Sequence, residues 1–245
     1  GGLLRALVAR TRARCAQQRA QQRAQQRAQQ RAERRVSAAL EVLYDDNHLL
    51  VVVKPAGVPS VPDASGDESL FERAQSWVKT RYAKPGAVFL GVVQRLDRPV
   101  SGVLAFARTS KAAARLTEQL RERTAHKLYW AVAEGSPRAD AGDCEEWLVK
   151  DERENRVSRV AAHTTGASLA RTRWRVLERA DGRTLYAFEP LTGRPHQLRS
   201  CARSLGTPLL GDLKYGARAP LPDASIALRA VALTLAHPTR AETLT

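Results

Sequence analysis

The chain has 245 residues, of which 43% are apolar, and this is enough to bury a full hydrophobic core in one domain. It carries 40 Lys and Arg against 25 Asp and Glu, for a formal net charge of +15 and a pI near 10.6. Such an excess favours nucleic acid or another anionic surface as a partner. Residues 1–40 hold ten Arg and one acid, Glu33, so they contribute +9 of this charge and leave +6 for the rest.

Cysteine usage and hydropathy exclude several classes of protein. Cys15, Cys144 and Cys201 lie far apart and lack the spacing of a zinc site or a disulfide framework. We therefore expect reduced thiols in an intracellular protein. No run approaches the roughly 18 consecutive apolar residues of a membrane helix, so we expect no membrane association. The chain begins Gly-Gly and contains no Met, and we interpret it as a processed form or a fragment.

The N-terminal segment is a low-complexity sequence. Residues 17–32 are four copies of QQRA, within a stretch that is free of Gly and Pro. Ala, Gln and Arg favour helix, but the repeat provides no apolar face to bury. We predict that residues 1–38 form a basic helical or disordered extension. Three interpretations fit it: an RNA-binding arm, the remnant of an organelle-targeting peptide, and a solvated extension without a role.

From residue 40 onward, short apolar runs alternate with helical patterns. Strands are predicted at 40–44, 49–54, 88–93, 102–107, 127–133, 168–177, 184–189 and 226–235. Helices are predicted at 68–82 and at 110–121, the second with Ser110 as its cap. A third helix should begin near Pro195 and end at Gly206. Adjacent strands with few crossover helices indicate an α+β domain on a mixed, largely antiparallel sheet.

The densest chemical pattern is the segment QRLDRPVSG, residues 94–102, between two predicted strands. Asp97 lies there between Arg95 and Arg98, which can keep a carboxylate ionised for attack or proton abstraction and can also hold phosphate. An Asp in an ordinary turn or ion pair gives the same local pattern. From these residues alone, the structural interpretation is favoured.

A second pattern is LTGRPHQLR, residues 191–199, which leads into the third predicted helix. A helix N-terminus beside Arg194 and Arg199 is a candidate anion site. His196 and Gln197 can instead hydrogen-bond the backbone of a tight junction, which is the more common role for a lone His.

Two further segments combine aromatic and basic residues. In KLYWAV, residues 127–132, strand alternation places Lys127 and Tyr129 on one face and Trp130 on the other. We predict that Trp130 packs in the core and that Tyr129 is available to stack on a base. The segment LGTPLLGDLKYG, residues 205–216, lacks the spacing of a phosphate-binding loop, and we predict a structural loop.

Taken in chain order, these segments resemble the RluA-like family of RNA pseudouridine synthases. The segments that carry the resemblance are KPAGVP, QRLDRPVSG, VLAFARTSKAA, KLYWAV, LTGRPHQLR and LGTPLLGDLKYG, and it covers about residues 40–240. It implies the pseudouridine synthase fold, with a mixed, largely antiparallel central sheet, flanking helices and a catalytic cleft across the sheet. Residues 39–245 would be the catalytic domain, and its end soon after the last predicted strand is compatible with a clipped C-terminus.

The resemblance also implies roles for individual residues. Asp97 would be the catalytic aspartate, Tyr129 would pack on the target uracil, and Arg199 would hold Asp97. Arg95 would occupy the space left by the flipped nucleotide. Other basic and amide side chains of these segments are expected to contact the substrate: Lys54, Arg98, Arg194, His196 and Gln197.

The chain departs from the family pattern in three places. Gln94 stands where the family usually has His, and Val100 where it commonly has Thr. The small N-terminal RNA-binding domain of many relatives has no counterpart, and the Gln/Arg segment is in its place.

The implied function is isomerisation of specific uridines in rRNA or tRNA, by base flipping and by aspartate-dependent cleavage and rejoining of the glycosidic bond. We expect no cofactor, no obligate protein partner and a monomer, in a cytoplasm or an organelle; Asp97 can act as nucleophile or base. One alternative is a glycoside or nucleoside hydrolase, which usually needs two placed carboxylates. The other is a basic RNA-binding protein on a retired synthase fold, and the presence of Asp97, Tyr129 and Arg199 together argues against it.

Overall fold

The structure is a computed structural model, and it describes residues 40–245. Within that range the chain forms eleven strands and three α-helices. The strands are β1 Val42–Asp45, β2 Leu49–Lys54, β3 Gly91–Val92, β4 Ser101–Ala107, β5 His126–Glu134, β6 Ala141–Asp151, β7 Arg156–Val160, β8 Ser168–Ala180, β9 Arg183–Pro190, β10 Leu228–Ala236 and β11 Thr243–Leu244. The helices are α1 Leu70–Arg81, α2 Ser110–Glu122 and α3 Gln197–Ser204, followed by a 3-10 turn at Leu213–Tyr215.

One mixed sheet connects these strands in the order β1-β2-β4-β10-β5-β9-β8-β6-β7, with β3 paired to β4 and β11 to β10. Within the described chain, β4 and β10 form the parallel pair and the other named pairs are antiparallel. The α+β class and the mixed, largely antiparallel sheet are therefore confirmed.

Gly102 allows β4 and β10 to approach closely. It has a φ of +123°, and a Cβ at this position would lie 2.1 Å from the carbonyl oxygen of Ala230. A side chain would therefore separate the two strands. Since Gly102 follows Asp97 by five residues, this close pairing fixes where the Asp97 loop enters the sheet.

Helix α2 covers one face of the sheet near the Asp97 loop. Thr109 caps it by accepting a hydrogen bond from the amide of Ala112, so the cap is one residue earlier than the predicted Ser110. The helix buries small and aliphatic side chains against the strands, in a cluster of Leu49, Ala105, Ala107, Ala112, Leu116, Ala125, Leu233 and Leu235. This packing makes the sheet around β4 and β10 a rigid support for the site.

Two regions differ from the sequence prediction. Strands β6 and β7 were not predicted, because polar and charged residues alternate along them with few apolar ones. The predicted strand at 88–93 pairs only at Gly91–Val92. Across residues 40–245, no helix is both long enough and apolar enough to cross a membrane.

Candidate active site

A cavity of about 280 Å³ opens beside Asp97, between the β3–β4 connection, β5 and the start of α3. Its apolar wall consists of Val93, Leu96, Val100, Leu120, Leu198 and Leu228. Its polar lining includes Arg95, Asp97, Lys127, Tyr129, Arg194, His196, Gln197 and Arg199. Among the lining residues, Asp97 is the one acid. Two of the three departures from the family pattern, Gln94 and Val100, also line this cavity.

The loop that carries Asp97 is fixed on both sides. The amide of Val100 donates to the carbonyl of Asp97 at 3.0 Å. On the other side, the Ser60 hydroxyl donates to the carbonyl of Leu96 at 2.7 Å and accepts from its amide at 3.0 Å. The carboxylate of Asp97 is thus held in the cavity while its side chain remains 31% exposed.

Arg199 reaches Asp97 from α3 and is itself held by a second acid, Asp212. Its Nη1 lies 3.2 Å from Oδ2 of Asp97, and its Nε and Nη2 each donate to Asp212 at 2.7 Å. Asp212 is 1% exposed. Burial disfavours the charge on Arg199, but the hydrogen bonds and negative charge of Asp212, with those of Asp97, outweigh burial and raise the pKa of Arg199. The guanidinium therefore remains charged and fixed in orientation.

His196 lies on the other side of the Asp97 carboxylate. Its Nε2 is 3.6 Å from Oδ2 of Asp97, and its Nδ1 is 2.9 Å from the hydroxyl of Tyr215. Burial lowers the pKa of His196, although the charge of Asp97 acts in the opposite direction. His196 is therefore a neutral group beside the carboxylate, and its backbone has the left-handed conformation, with a φ of 49°.

Lys54 is placed beneath the loop and away from the cavity. The side chain is fully buried, and its ammonium group donates to the carbonyl oxygens of Pro55, Val58 and Arg98, at 3.0, 2.7 and 3.1 Å. Burial lowers the pKa of Lys54 to about 7. The expectation that Lys54 contacts the substrate is not met, because none of its surface is exposed. It joins β2 to the residue that follows Asp97.

The two aromatic residues of β5 occupy opposite faces, but not as predicted. Tyr129 lines the cavity, on the same face as the buried residues Ala131 and Ala133. Trp130 is 48% exposed on the other face. The prediction that Trp130 packs in the core is therefore wrong, because the face that carries Tyr129 is the one that turns toward the interior.

The other residues that were predicted to contact the substrate differ in whether their side chains are already bonded within the protein. Gln197 is buried and its amide bonds the carbonyl of Arg171 and the hydroxyl of Thr172, so it fixes the start of α3. Arg98 pairs with Asp67 and donates through Nε to the carbonyl of Gly57.

The two other arginines are more accessible. Arg194 is exposed and donates through Nε to the carbonyl of Leu169. Arg95 is exposed at the rim, where the cavity joins a wider depression that also contains Lys214. Within residues 40–245, Arg95 has no hydrogen bond or ion pair, so its guanidinium is available to a ligand.

Asp212 and Tyr215 were missed by the sequence analysis, which assigned residues 205–216 to a structural loop. Tyr215 is 1% exposed, its hydroxyl accepts from the amide of Val157, and its ring lies 4.8 Å from Cζ of Arg199. Neither residue lines the cavity. Each contacts a side chain that does, since Asp212 bonds Arg199 and Tyr215 lies beside His196. The pairing of Arg199 with an acid thirteen residues later leaves no periodic signal in the sequence.

Comparison with known proteins identifies the family. The model of the RNA pseudouridylate synthase family matches residues 48–204. The chain belongs to this family. The dual-specificity RNA pseudouridine synthase RluA of Haemophilus influenzae is 36% identical over 208 residues, which cover 84% of this chain and 91% of that protein.

Other members have similar sequence and structure. An uncharacterized RNA pseudouridine synthase of Synechocystis is 32% identical, over 84% of this chain and 64% of its own length. The solved structure of human RNA pseudouridylate synthase domain containing 4 superposes with a TM-score of 0.66 at 26% identity, covering 80% of this chain and 84% of that one. The pseudouridine synthase fold is confirmed, and family membership indicates an isomerase that acts on RNA.

Proposed function

We propose that the chain converts specific uridines of rRNA or tRNA to pseudouridine, with Asp97 as the catalytic residue. The surroundings of Asp97 carry this proposal. Asp97 is the one acid among the residues that line the cavity, and it is partly exposed. Arg199 contacts it, and the buried Asp212 holds Arg199 in place. Such a carboxylate is fixed in position and remains accessible to a bound ligand. Positioned charges of this kind are what a reaction at a glycosidic bond requires.

The reaction needs no redox step. The bond between the ribose C1′ and the uracil N1 breaks, the base turns, a bond forms between C1′ and C5, and the proton of C5 is lost while N1 gains one. Asp97 can attack C1′ and be displaced when C5 bonds to that carbon, or it can remove a proton from the sugar and return it once the new bond has formed; its geometry supports either role. Arg199 positions the carboxylate, and the neutral His196 adds no positive charge on its other side.

The cavity provides a site for one extruded base. Tyr129 supplies an aromatic face, and Val100, Leu198 and Leu228 supply apolar contacts. A base that leaves a helix loses stacking energy, which an aromatic side chain replaces. Arg95 at the rim is free to replace the flipped nucleotide or to bind backbone phosphate, and Arg194 is exposed nearby.

A relative from Vibrio cholerae that is named a ribosomal large subunit pseudouridine synthase supports rRNA as a substrate. A relative named a dual-specificity RNA pseudouridine synthase is in keeping with a second class of RNA, for which we propose tRNA. We infer that the enzyme acts as a monomer, since contacts within one chain are sufficient to hold Asp97, Arg199 and Asp212 together. We infer an intracellular site of action, in a cytoplasm or an organelle, because rRNA and tRNA are found there.

Replacement of Asp97 by Asn tests the assignment. The amide retains the shape but can neither attack the sugar nor accept its proton, so pseudouridine formation should fall by at least about a hundredfold. Folding and RNA affinity should be retained, because the side chain is partly exposed and the substitution removes a negative charge near phosphate. Melting temperature, RNA affinity and pseudouridine yield are measured on one preparation, with bulk rRNA and tRNA as substrates.

The same measurements separate the alternatives. An active Asp97→Asn enzyme with a lowered melting temperature would show that Asp97 only anchors its loop. A wild-type protein that binds RNA but forms no pseudouridine would support the RNA-binding alternative. A hydrolase would release free uracil, but the second carboxylate, Asp212, is buried with both oxygens bonded to Arg199. It is therefore not available as a second catalytic acid.

A further inference from the structure

Lys127 lies where the active-site cavity meets a second groove. This groove, of about 470 Å³, runs beside the C-terminal end of α2 and over the first residues of β5. Both depressions share Lys127, Leu120 and part of the segment that ends at Arg194. The ammonium group faces that segment, since a Cβ built on Gly193 would lie 3.8 Å from Nζ of Lys127. Lys127 is thus positioned at the boundary between the two spaces.

Within residues 40–245, the ammonium group of Lys127 has no hydrogen bond and no acidic partner. It is half-buried, and burial lowers its pKa. A partly desolvated cation without a counter-charge costs free energy. Arg199 provides the contrast, because its burial is offset by Asp212 and Asp97. The uncompensated charge of Lys127 indicates an anion that arrives with a ligand.

The second groove is basic along its length. Arg121, Arg123 and Arg194 line it, and all three are exposed. Arg121 is paired with two glutamates of its own helix, Glu118 and Glu122, so Arg123 and Arg194 supply most of the free positive charge. Its one acid, Glu189, lies 3.8 Å from the guanidinium of Arg173. Arg123 has no ion pair within the described part of the chain. A groove that carries these cationic side chains and leads into a cavity for a base suits the negatively charged backbone of an RNA strand.

We propose that Lys127 binds a backbone phosphate adjacent to the flipped uridine, and that the second groove carries the RNA strand leading away from it. The inference rests on the proposed function, because that function is what identifies the ligand as RNA. It extends that function by assigning a path to the RNA strand and a phosphate contact to a side chain outside the catalytic group.

The experiment combines a protein variant in which residue 127 is uncharged with RNA in which one phosphate is replaced by an uncharged group. Lys127→Met removes the charge and retains the length, and Lys127→Arg restores the charge. Lys111→Ala, which removes an exposed lysine of α2 that lines neither depression, is the matched control. The probe is a synthetic stem-loop RNA with a single loop uridine, unmodified or with one flanking phosphate at a time replaced by methylphosphonate.

Lys127→Met should weaken binding of the unmodified RNA about tenfold and reduce the slope of log affinity against log salt by about 0.7, as expected for one contact to single-stranded RNA. The melting temperature should be unchanged or higher, because a half-buried charge is removed. Lys127→Arg and Lys111→Ala should bind like the wild type. One methylphosphonate should weaken the wild type by the same factor and leave Lys127→Met unaffected.

Two results would overturn the inference: an unchanged affinity and salt slope in Lys127→Met, and an additive loss when it is combined with each methylphosphonate. If Lys127→Met fails to fold, the methylphosphonate series on the wild type decides, since no sensitive phosphate would mean no such contact. Binding is measured separately from pseudouridine yield. A wild type that binds through Lys127 but forms no pseudouridine would contradict the proposed function and leave this inference intact.

Discussion

At the scale of single residues, the site depends on two acids that share one guanidinium but have different environments. Asp97 is partly exposed and contacts Arg199 through one oxygen, whereas Asp212 is buried and bonds it through both. Removing one member of a buried ion pair leaves an unpaired charge, while removing a partly exposed member costs little stability. The two acids can therefore be distinguished by stability as well as by activity.

Replacement of Asp212 by Asn should lower the free energy of unfolding by about 3 kcal/mol, because Arg199 loses its charged buried partner. Turnover should also fall, since Arg199 is then no longer held in its orientation toward Asp97. Urea denaturation and pseudouridine yield measure the two effects. Asp97→Asn is the matched variant and should lose turnover with little loss of stability. An Asp212→Asn protein as stable as the wild type would contradict the positioning role.

Lys54 predicts a pH dependence of stability. Its pKa is about 7 in the folded protein, because of burial, and about 10.4 in an unfolded chain. Between these values the unfolded chain binds more protons than the folded one, so stability rises with pH. The contribution of Lys54 to the free energy of unfolding is complete above the pKa of the unfolded chain, and it is lost as the pH falls toward 7.

The free energy of unfolding should therefore increase by about 1–3 kcal/mol between pH 7 and pH 9 through this group. Lys54→Met should remove that increase. It should also destabilise the protein at pH 9, because the carbonyls of Pro55, Val58 and Arg98 lose their donor. Urea denaturation at both pH values tests this, with Lys111→Ala as the control. If the free energy of unfolding of Lys54→Met rises by the same amount between pH 7 and pH 9, the pH dependence belongs to another group.

At the scale of elements, strand β5 connects the core to the active site. Its alternation places Lys127 and Tyr129 toward the cavity, and Ala131 further along the same face is buried. Burial and the charge of Asp97 raise the pKa of Tyr129, so its hydroxyl stays protonated. The ring is therefore a neutral platform next to the carboxylate, which suits stacking on an uncharged base.

Tyr129→Ala should reduce turnover about tenfold to a hundredfold, because a stacking contact is worth about 1–3 kcal/mol. Tyr129→Phe retains the ring and should keep most of the activity. Trp130→Ala, on the exposed face of the same strand, should change the free energy of unfolding by less than about 1 kcal/mol and leave turnover unchanged. Single-turnover kinetics and urea denaturation measure these effects. A large loss of activity in Tyr129→Phe would assign the role to the hydroxyl.

The helices and strands also show which parts of the fold could be predicted from the sequence. The strand pairs and helices around β4, β5 and α2 follow from apolar periodicity, and the sequence pattern identified Asp97 and Arg199 as neighbours through family resemblance. Strands β6 and β7 were missed because they carry many charged residues and are recognisable mainly by their pairing. Trp130 was misplaced because alternation defines two faces without telling which one is buried. The links from Lys54 to Arg98 and from Arg199 to Asp212 are tertiary contacts that no local pattern contains.

At the scale of the whole molecule, the charge is unevenly distributed. Residues 1–38 carry +9 of the total charge of +15 and precede the compact unit Val42–Thr245. Residues 1–39 lie outside the described part of the structure, so the prediction of a basic helical or disordered extension stays a prediction. A basic groove is already present within the described residues. The RNA-binding interpretation of the extension therefore concerns additional affinity and not the chemistry.

Deletion of residues 1–38 should weaken RNA binding and flatten the dependence of log affinity on log salt, because each phosphate that the protein no longer neutralises reduces the slope by about 0.7–0.9. Pseudouridine formation at saturating RNA should be unchanged, since Asp97, Arg199 and Asp212 all lie in the remaining unit. A full-length variant with Gln at Arg19, Arg23, Arg27 and Arg31 is the matched control. It retains the length of the extension and removes four charges, so it should reproduce part of the change in slope. If the slope is unchanged in both proteins, the extension does not bind RNA, and the targeting-remnant and solvated-extension interpretations are left.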